Sequence, residues 1–190
     1  MRLFGTDVPD GFIYRDAFLS DDEERSLLAA IGALSFDTFE MRGVVARRRV
    51  KFYGQTYNDI TSEPMPDFLI GVRAKLASWA QVPPEAFAMG LINEYRQGAT
   101  IGWHRDAPQY DITAGVSLLS SCRMRLRPYV APRALASAVR TSPRKTTHEI
   151  ELEPRSAYLI TGLARSGYEH SIPATAALRY SITFRTLLEQ

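Results

Sequence analysis

The chain of 190 residues contains one cysteine, Cys122. No intramolecular disulfide can form, and no cage of thiolates can hold a metal. Lysine is scarce, with 3 against 20 arginines, and histidine occurs only at positions 104, 148 and 170. No stretch approaches the ~18 consecutive apolar residues of a membrane-spanning helix. The first ten residues hold one arginine and no apolar core, unlike a secretory signal. A reducing, cytoplasmic compartment is the expectation. Repeats and low-complexity tracts are also missing. Hydrophobic residues make up 45% and charged residues 23%, which excludes disorder over most of the chain. One domain over 1–190, with a monomer as the default, is the starting point.

What is present is unevenly spread. Net charge is only +2, yet residues 1–40 hold nine acids and three bases. Residues 41–51 hold five bases and no acid, and 112–148 hold seven bases and no acid. Such segregation can build a basic face suited to phosphates. An arginine-rich composition with solvated surface charge accounts for it equally well.

Ser20-Asp-Asp-Glu23 reads as a capping box, and Leu27, Leu28, Ile31 and Leu34 form a helical stripe, so a helix is expected over 21–34. A second is expected over 66–80, with Phe68, Leu69, Val72, Leu76 and Trp79 inward. From residue 88 the texture changes to short strands, expected over 88–95, 113–119, 124–128, 148–152, 157–161 and 179–186. The expected class is α+β: a jelly roll (double-stranded β-helix) over about 88–190, with two N-terminal helices from about 1–87 packed on one sheet. Residues 129–147, rich in Ala, Arg, Ser and Pro, read as a surface loop.

Within this frame a few residues can carry chemistry. His104 and Asp106 stand two apart, so on a strand or tight turn both point to one side. A histidine from a distant strand would complete two imidazoles and one carboxylate, the donor set of a non-haem Fe(II) oxygenase. His170 precedes a predicted strand and, alone, reads equally as a hydrogen-bonded structural histidine. His148 reads as surface. Along Arg179-Tyr-Ser-Ile-Thr-Phe-Arg185, the residues Arg179, Ser181, Thr183 and Arg185 share a face. Two arginines inside a barrel need an anion, and a dicarboxylate is a natural guest. The alternative is an exposed edge strand. Asn93 and Tyr95 share a face and can both hydrogen-bond a carboxylate.

Taken together, Asn93-Glu-Tyr95, Gly98, His104-Arg-Asp106, His170 and Arg179-Tyr-Ser-Ile-Thr-Phe-Arg185 stand in an order that resembles the AlkB-like Fe(II)/2-oxoglutarate-dependent dioxygenases. The runs 101–106 and 168–173 look like that family too. The resemblance covers roughly 88–187. It implies that His104, Asp106 and His170 hold Fe(II) and form the catalytic centre. It implies that Arg179 clamps the distal carboxylate of 2-oxoglutarate, and that Arg185, Asn93 and Tyr95 hold the end near the metal. Ser181 stands where the family often has Asn. The implied reaction consumes O2 and 2-oxoglutarate, yields succinate and CO2, and hydroxylates an alkyl C–H; an N-methyl group then leaves as formaldehyde.

In nucleic-acid members of that family, sequence before the core forms a nucleotide-recognition lid. Residues 36–58 are the candidate here, and within them Arg47-Arg-Arg-Val-Lys-Phe-Tyr-Gly54 resembles the lid segment. Arg47, Arg48 and Arg49 would then grip phosphates, while Phe52, Tyr53 and Tyr57 would stack an extrahelical base. The alternative is a hairpin with its aromatics packed inward. The leading expectation is a dioxygenase that dealkylates damaged bases in DNA, with RNA open. The alternatives are the same site acting on a protein side chain or small molecule, and a non-catalytic jelly-roll binding protein.

Overall fold

The computed structural model describes residues 8–41, 44–56, 62–130 and 147–188, with the side chains of 41, 44 and 45 left aside. After strand β1 (Phe12–Arg15), helix α1 (Asp21–Gly32) starts on the expected capping box: Ser20 Oγ accepts from the Glu23 N–H, and Glu23 accepts from the Ser20 N–H at 2.7 Å. The helix ends at Gly32, short of 34, because the N–H groups of Ala33 and Leu34 turn back to Ala30 and Ile31. Strands β2 (Asp37–Met41) and β3 (Val44–Gly54) follow, then helix α2 (Asp67–Ala80), closed by Gln81 at φ 58°.

The strands of the jelly roll are β4 (Met89–Tyr95), β5 (Ile101–His104), β6 (Tyr110–Leu118), β7 (Cys122–Pro128), β8 (His148–Leu152), β9 (Ala157–Ile160), β10 (Tyr168–Ile172) and β11 (Arg179–Leu187). A five-residue helix, α3 (Gly162–Ser166), lies between β9 and β10. Among the described residues they form two sheets. The large one has the order β1-β9-β6-β11-β4-β3-β2 and the small one β5-β10-β7-β8, antiparallel throughout.

The helices cover the outer face of the large sheet. Leu27, Ile31, Leu69, Val72 and Leu76 pack with Ile92, Val116, Ile182 and Phe184. Between the sheets a second cluster gathers Tyr95, Met124, Leu126, Ile150, Leu152, Tyr158 and Ile172. The alternation read along β11 is the one observed. Ile182 and Phe184 face the helices, while Arg179, Ser181, Thr183 and Arg185 are buried on the inner face. Arg179 is 1% exposed, which excludes the exposed-edge alternative.

Five strands lie outside the expected set, β1, β2, β3, β5 and β10, although β2 and β3 form the hairpin named as the alternative to a lid. In β3 both faces are covered, Tyr53 under the helices and Val50 against Met89, Leu91 and Tyr110, so no apolar/polar alternation marks it. β5 is four residues long and its pairing with β10 shifts register between His170 and Ile172. The segment expected to be a lid is, over the described residues, an antiparallel pair hydrogen-bonded to β4 from Arg49↔Glu94 to Gly54↔Met89.

Candidate metal and co-substrate site

β10 pairs with β5 so that His170 lies directly opposite His104. Their ring centroids are 4.3 Å apart. Asp106 follows β5 by two residues, and one ligand atom from each of the three lies within 4.8 Å of the others. His104 Nδ1 is 2.9 Å from the Gly102 carbonyl, and a proton shared there leaves Nε2 as the lone-pair donor. Asp106 accepts from Thr113 Oγ1 at 2.8 Å and from Arg185 Nη2 at 2.9 Å.

The charges are set by these contacts. Burial raises the affinity of Asp106 for a proton, but the Arg185 guanidinium and the two histidines outweigh it and hold the carboxyl far below the usual range. Burial, then the neighbouring His104, pushes His170 down to about 3, with Asp106 opposing. Burial also lowers His104. Two neutral imidazoles and a carboxylate result, which is what a divalent iron requires.

The depressed His170 has a consequence for the metal-free protein. Its folded value, about 3, lies below the ordinary value of about 6.5, so the unfolded chain takes up the proton first. Stability should therefore fall as pH drops from about 6.5 toward 3, by at most ~1.4 kcal/mol per unit. Asp106 acts in a lower window: its contribution is present above about 4 and lost as pH falls further. Denaturant unfolding from about pH 7 to 5 should show a shallower slope in His170→Asn than in the wild type. Identical slopes would contradict the assignment.

Beneath the triad the inner face of β4, β11 and β6 forms rungs. Tyr95 pairs with Arg179, Asn93 with Ser181, and Ser181 with Ser117. Arg179 Nε donates to Ser117 Oγ at 3.1 Å and its guanidinium lies 4.9 Å from the Tyr95 ring centroid, but its buried Nη1 has no partner. A buried cationic N–H without an acceptor is costly, so the position calls for an anion. Asn93 Nδ2 donates to Ser181 Oγ at 3.3 Å. The ring of Tyr158 crosses Gly115, where a Cβ would lie 2.5 Å from it, and that glycine keeps the ring low in the floor. One arginine deep in the pocket and a second, Arg185, at the metal suit the two ends of a dicarboxylate.

The expected lid residues part company along β3. Arg48 is on the inner face, level with Tyr95, and Phe52 joins Phe39 there, with centroids 6.0 Å apart. Arg49 is on the outer face, in a two-bond ion pair with Glu94 at 2.8 and 2.7 Å. Tyr53 is 1% exposed beneath the helices. Arg49 as a phosphate grip and Tyr53 as a base-stacking ring are therefore corrected: the period of two turns both away from the site. Arg47 is exposed, Tyr57 lies outside the described residues, and so does most of 129–147. The basic row Arg123, Arg125, Arg127 is matched across strands by Glu149, Ser171 and Glu169.

Four residues were missed as parts of this site. Thr113, Ser117 and Tyr158 are inward-facing strand positions that only the register reveals. Arg165, on α3, donates from Nη2 to the carbonyls of Ala107 at 2.6 Å and Tyr110 at 2.7 Å. It latches the loop that follows Asp106, and a five-residue helix offers no periodicity to announce it. Arg165→Ala should weaken Fe(II) or Co(II) binding about 10–100-fold in a folded protein. Unchanged metal affinity would leave Arg165 with a purely structural role.

A jelly roll with an open-sided His-x-Asp…His triad above a buried arginine defines a class, the non-haem iron oxygenases that take a 2-oxo acid. The 2OG-Fe(II) oxygenase superfamily matches over residues 20–185. The Arabidopsis thaliana alkylated DNA repair protein ALKBH8 homolog is 27% identical over an alignment of 184 residues, covering 87% of this chain and 51% of that protein. The chain thus spans about half the length of this curated relative. Among solved structures, OsALKBH1 is similar with a TM-score of 0.67 at 16% identity, covering 94% of this chain and 99% of the other. A Pseudomonas putida prolyl-4-hydroxylase is similar at 0.64 and 13% identity, covering 94% and 93%. At those identities the likeness shows the fold. The chain belongs to the 2OG-Fe(II) oxygenase superfamily, and the curated relative it is similar to is an ALKBH8 homolog. Its cofactor and co-substrates are Fe(II), 2-oxoglutarate and O2, and the orphaned Arg179 Nη1 and the triad fit them. No helix among the described residues is long and apolar enough to cross a membrane.

Proposed function

We propose that this dioxygenase oxidatively removes alkyl groups from nucleobases in DNA or RNA. His104, Asp106 and His170 hold Fe(II). Arg179 pairs with the distal carboxylate of 2-oxoglutarate over Tyr95 and Ser181, and Arg185 with Asn93 receives the end nearest the metal. Iron held there would supply O2 activation, with one oxygen atom going to succinate as 2-oxoglutarate loses CO2 and the other to the substrate's alkyl C–H. A hydroxymethyl group left on nitrogen departs as formaldehyde, and the proton returns to the base.

The chain's own residues position and shield this chemistry. Arg185 and Thr113 fix both oxygens of Asp106, and Arg165 holds the loop behind it. The observation that carries the nucleobase reading is the trio Arg48, Phe39 and Phe52, on the same face of the large sheet as Asn93 and Tyr95. Flat apolar rings beside a hydrogen-bond donor suit an extrahelical base. Exposed Arg47 remains available to a phosphate. The ALKBH8 homolog, described as an alkylated DNA repair protein, supports the same substrate class.

The test is formaldehyde release from short single-stranded oligonucleotides bearing one N-methylated base, with Fe(II), 2-oxoglutarate and ascorbate. The panel pairs N1-methyladenine with N3-methylated pyrimidines, in DNA and in RNA. Release by the wild type and not by His170→Ala is expected. Consumption of 2-oxoglutarate without release from any member of the panel would redirect the search to protein or small-molecule substrates.

A further inference from the structure

The inner face carries more positive charge than the co-substrate accounts for. Arg179 and Arg185 have carboxylates to meet, and Arg165 is tied to two carbonyls. Arg48 is left over. Its Nε donates to Asn93 Oδ1 at 3.0 Å, and its guanidinium carbon lies 5.0 Å from the Phe39 ring centroid. Its terminal amino groups meet no acceptor among the described residues. The hydrogen bond to Asn93 and the β3–β4 register set Arg48 on the inner face, and its charge is within reach of His104, Asp106 and Arg185.

Among the described residues, negative charge on this face is scarce. The acids whose charge reaches these arginines are Asp106 and, at Arg165, the exposed Asp111. Asp106 is already engaged by Arg185 and Thr113 and would also hold the metal. With 2-oxoglutarate bound, four arginines and a divalent metal still outweigh one aspartate and a dicarboxylate. A cationic base entering here finds no uncommitted counter-charge among the described residues and meets a guanidinium in a low-dielectric setting. A carbonyl oxygen finds the donors it needs.

We propose that Arg48 sets the substrate's charge and edge chemistry. The site takes a neutral base that presents a carbonyl oxygen, such as an N3-methylated uracil. It disfavours a base that is protonated and cationic at neutral pH, such as N3-methylcytosine or N1-methyladenine. This rests on the nucleobase reading above and narrows it. Arg48 acts by orienting and selecting the base, not by touching the iron.

N3-methyluracil and N3-methylcytosine share ring, methyl position and size, and differ at the C4 substituent and in charge. The experiment compares kcat/KM for formaldehyde release from one single-stranded oligonucleotide carrying either base, at saturating 2-oxoglutarate. The wild type is expected to favour the methyluracil strand by at least about tenfold. Arg48→Gln should level the two rates, and Arg48→Glu should shift preference toward methylcytosine. The KM for 2-oxoglutarate should stay within about threefold in Arg48→Gln.

Equal or reversed preference in the wild type overturns the proposal and leaves nucleobase dealkylation standing. A loss in Arg48→Gln that falls equally on both strands, with a raised KM for 2-oxoglutarate, also overturns it and makes Arg48 a holder of the co-substrate. No formaldehyde from either strand, with 2-oxoglutarate consumed, removes the nucleobase reading and this proposal together.

Discussion

Replacing His170 with alanine is expected to abolish 2-oxoglutarate turnover, by more than about a thousandfold or ~4 kcal/mol, while the protein remains folded. His170 sits mid-strand on β10, opposite His104 and held by main-chain pairing on both sides, to β5 and β7. The ring is neutral in the folded protein, so its loss strands no ion. Two ligands then remain on an open-sided site, too few to fix the metal. Asp106→Ala is a less clean experiment. It removes the partner of a buried guanidinium, Arg185, and should cost about 3–5 kcal/mol of stability as well as activity. Thermal melts beside succinate assays separate the two effects. Near-normal turnover in His170→Ala would mean that the iron lies elsewhere.

The second large effect is expected at Arg179. Arg179→Met keeps length and apolar bulk in a 1% exposed position and deletes the charge. Truncating one partner of a buried charge pair costs about 2–5 kcal/mol. The KM for 2-oxoglutarate should therefore rise roughly 30- to several-thousandfold, with a much smaller change in kcat at saturation. The variant also relieves the unpartnered Nη1, so the protein without co-substrate should be as stable as the wild type or more so. A KM within threefold of wild type would remove Arg179 from the pocket.

The inward face that carries Arg179 was among the most legible features, for a physical reason. The jelly roll places its ligands on strands, and the period of two separates Arg179, Ser181 and Arg185 from Ile182 and Phe184 without any knowledge of partners. The two helices were equally open to view, because a capping box and a one-sided apolar stripe are local features. The charge clusters misled for the opposite reason. Arg49 and Lys51 stand in a run without acids, yet Glu94 and Glu63 arrive from elsewhere in the chain to pair with them. Arg123 and Arg127 are cancelled in the same way by Glu149 and Glu169. Cross-strand pairing is invisible in one dimension. The basic stretch 47–51 therefore contributes Arg48 to the inner face and leaves Arg47 exposed, rather than presenting a continuous grip. β5 and β10, which carry both histidine ligands, are four and five residues long with an irregular register, too short for alternation to declare them.

The central assembly is Fe(II) on the triad with 2-oxoglutarate reaching down to Arg179. Anaerobic visible absorption spectroscopy tests it directly, because 2-oxoglutarate chelated to protein-bound Fe(II) produces a metal-to-ligand charge-transfer band. The band should appear only when protein, Fe(II) and 2-oxoglutarate are all present. It should vanish in His170→Ala and need far more 2-oxoglutarate in Arg179→Met. A wild-type protein that shows no band with saturating Fe(II) and 2-oxoglutarate, or an undiminished band in His170→Ala, would contradict the site.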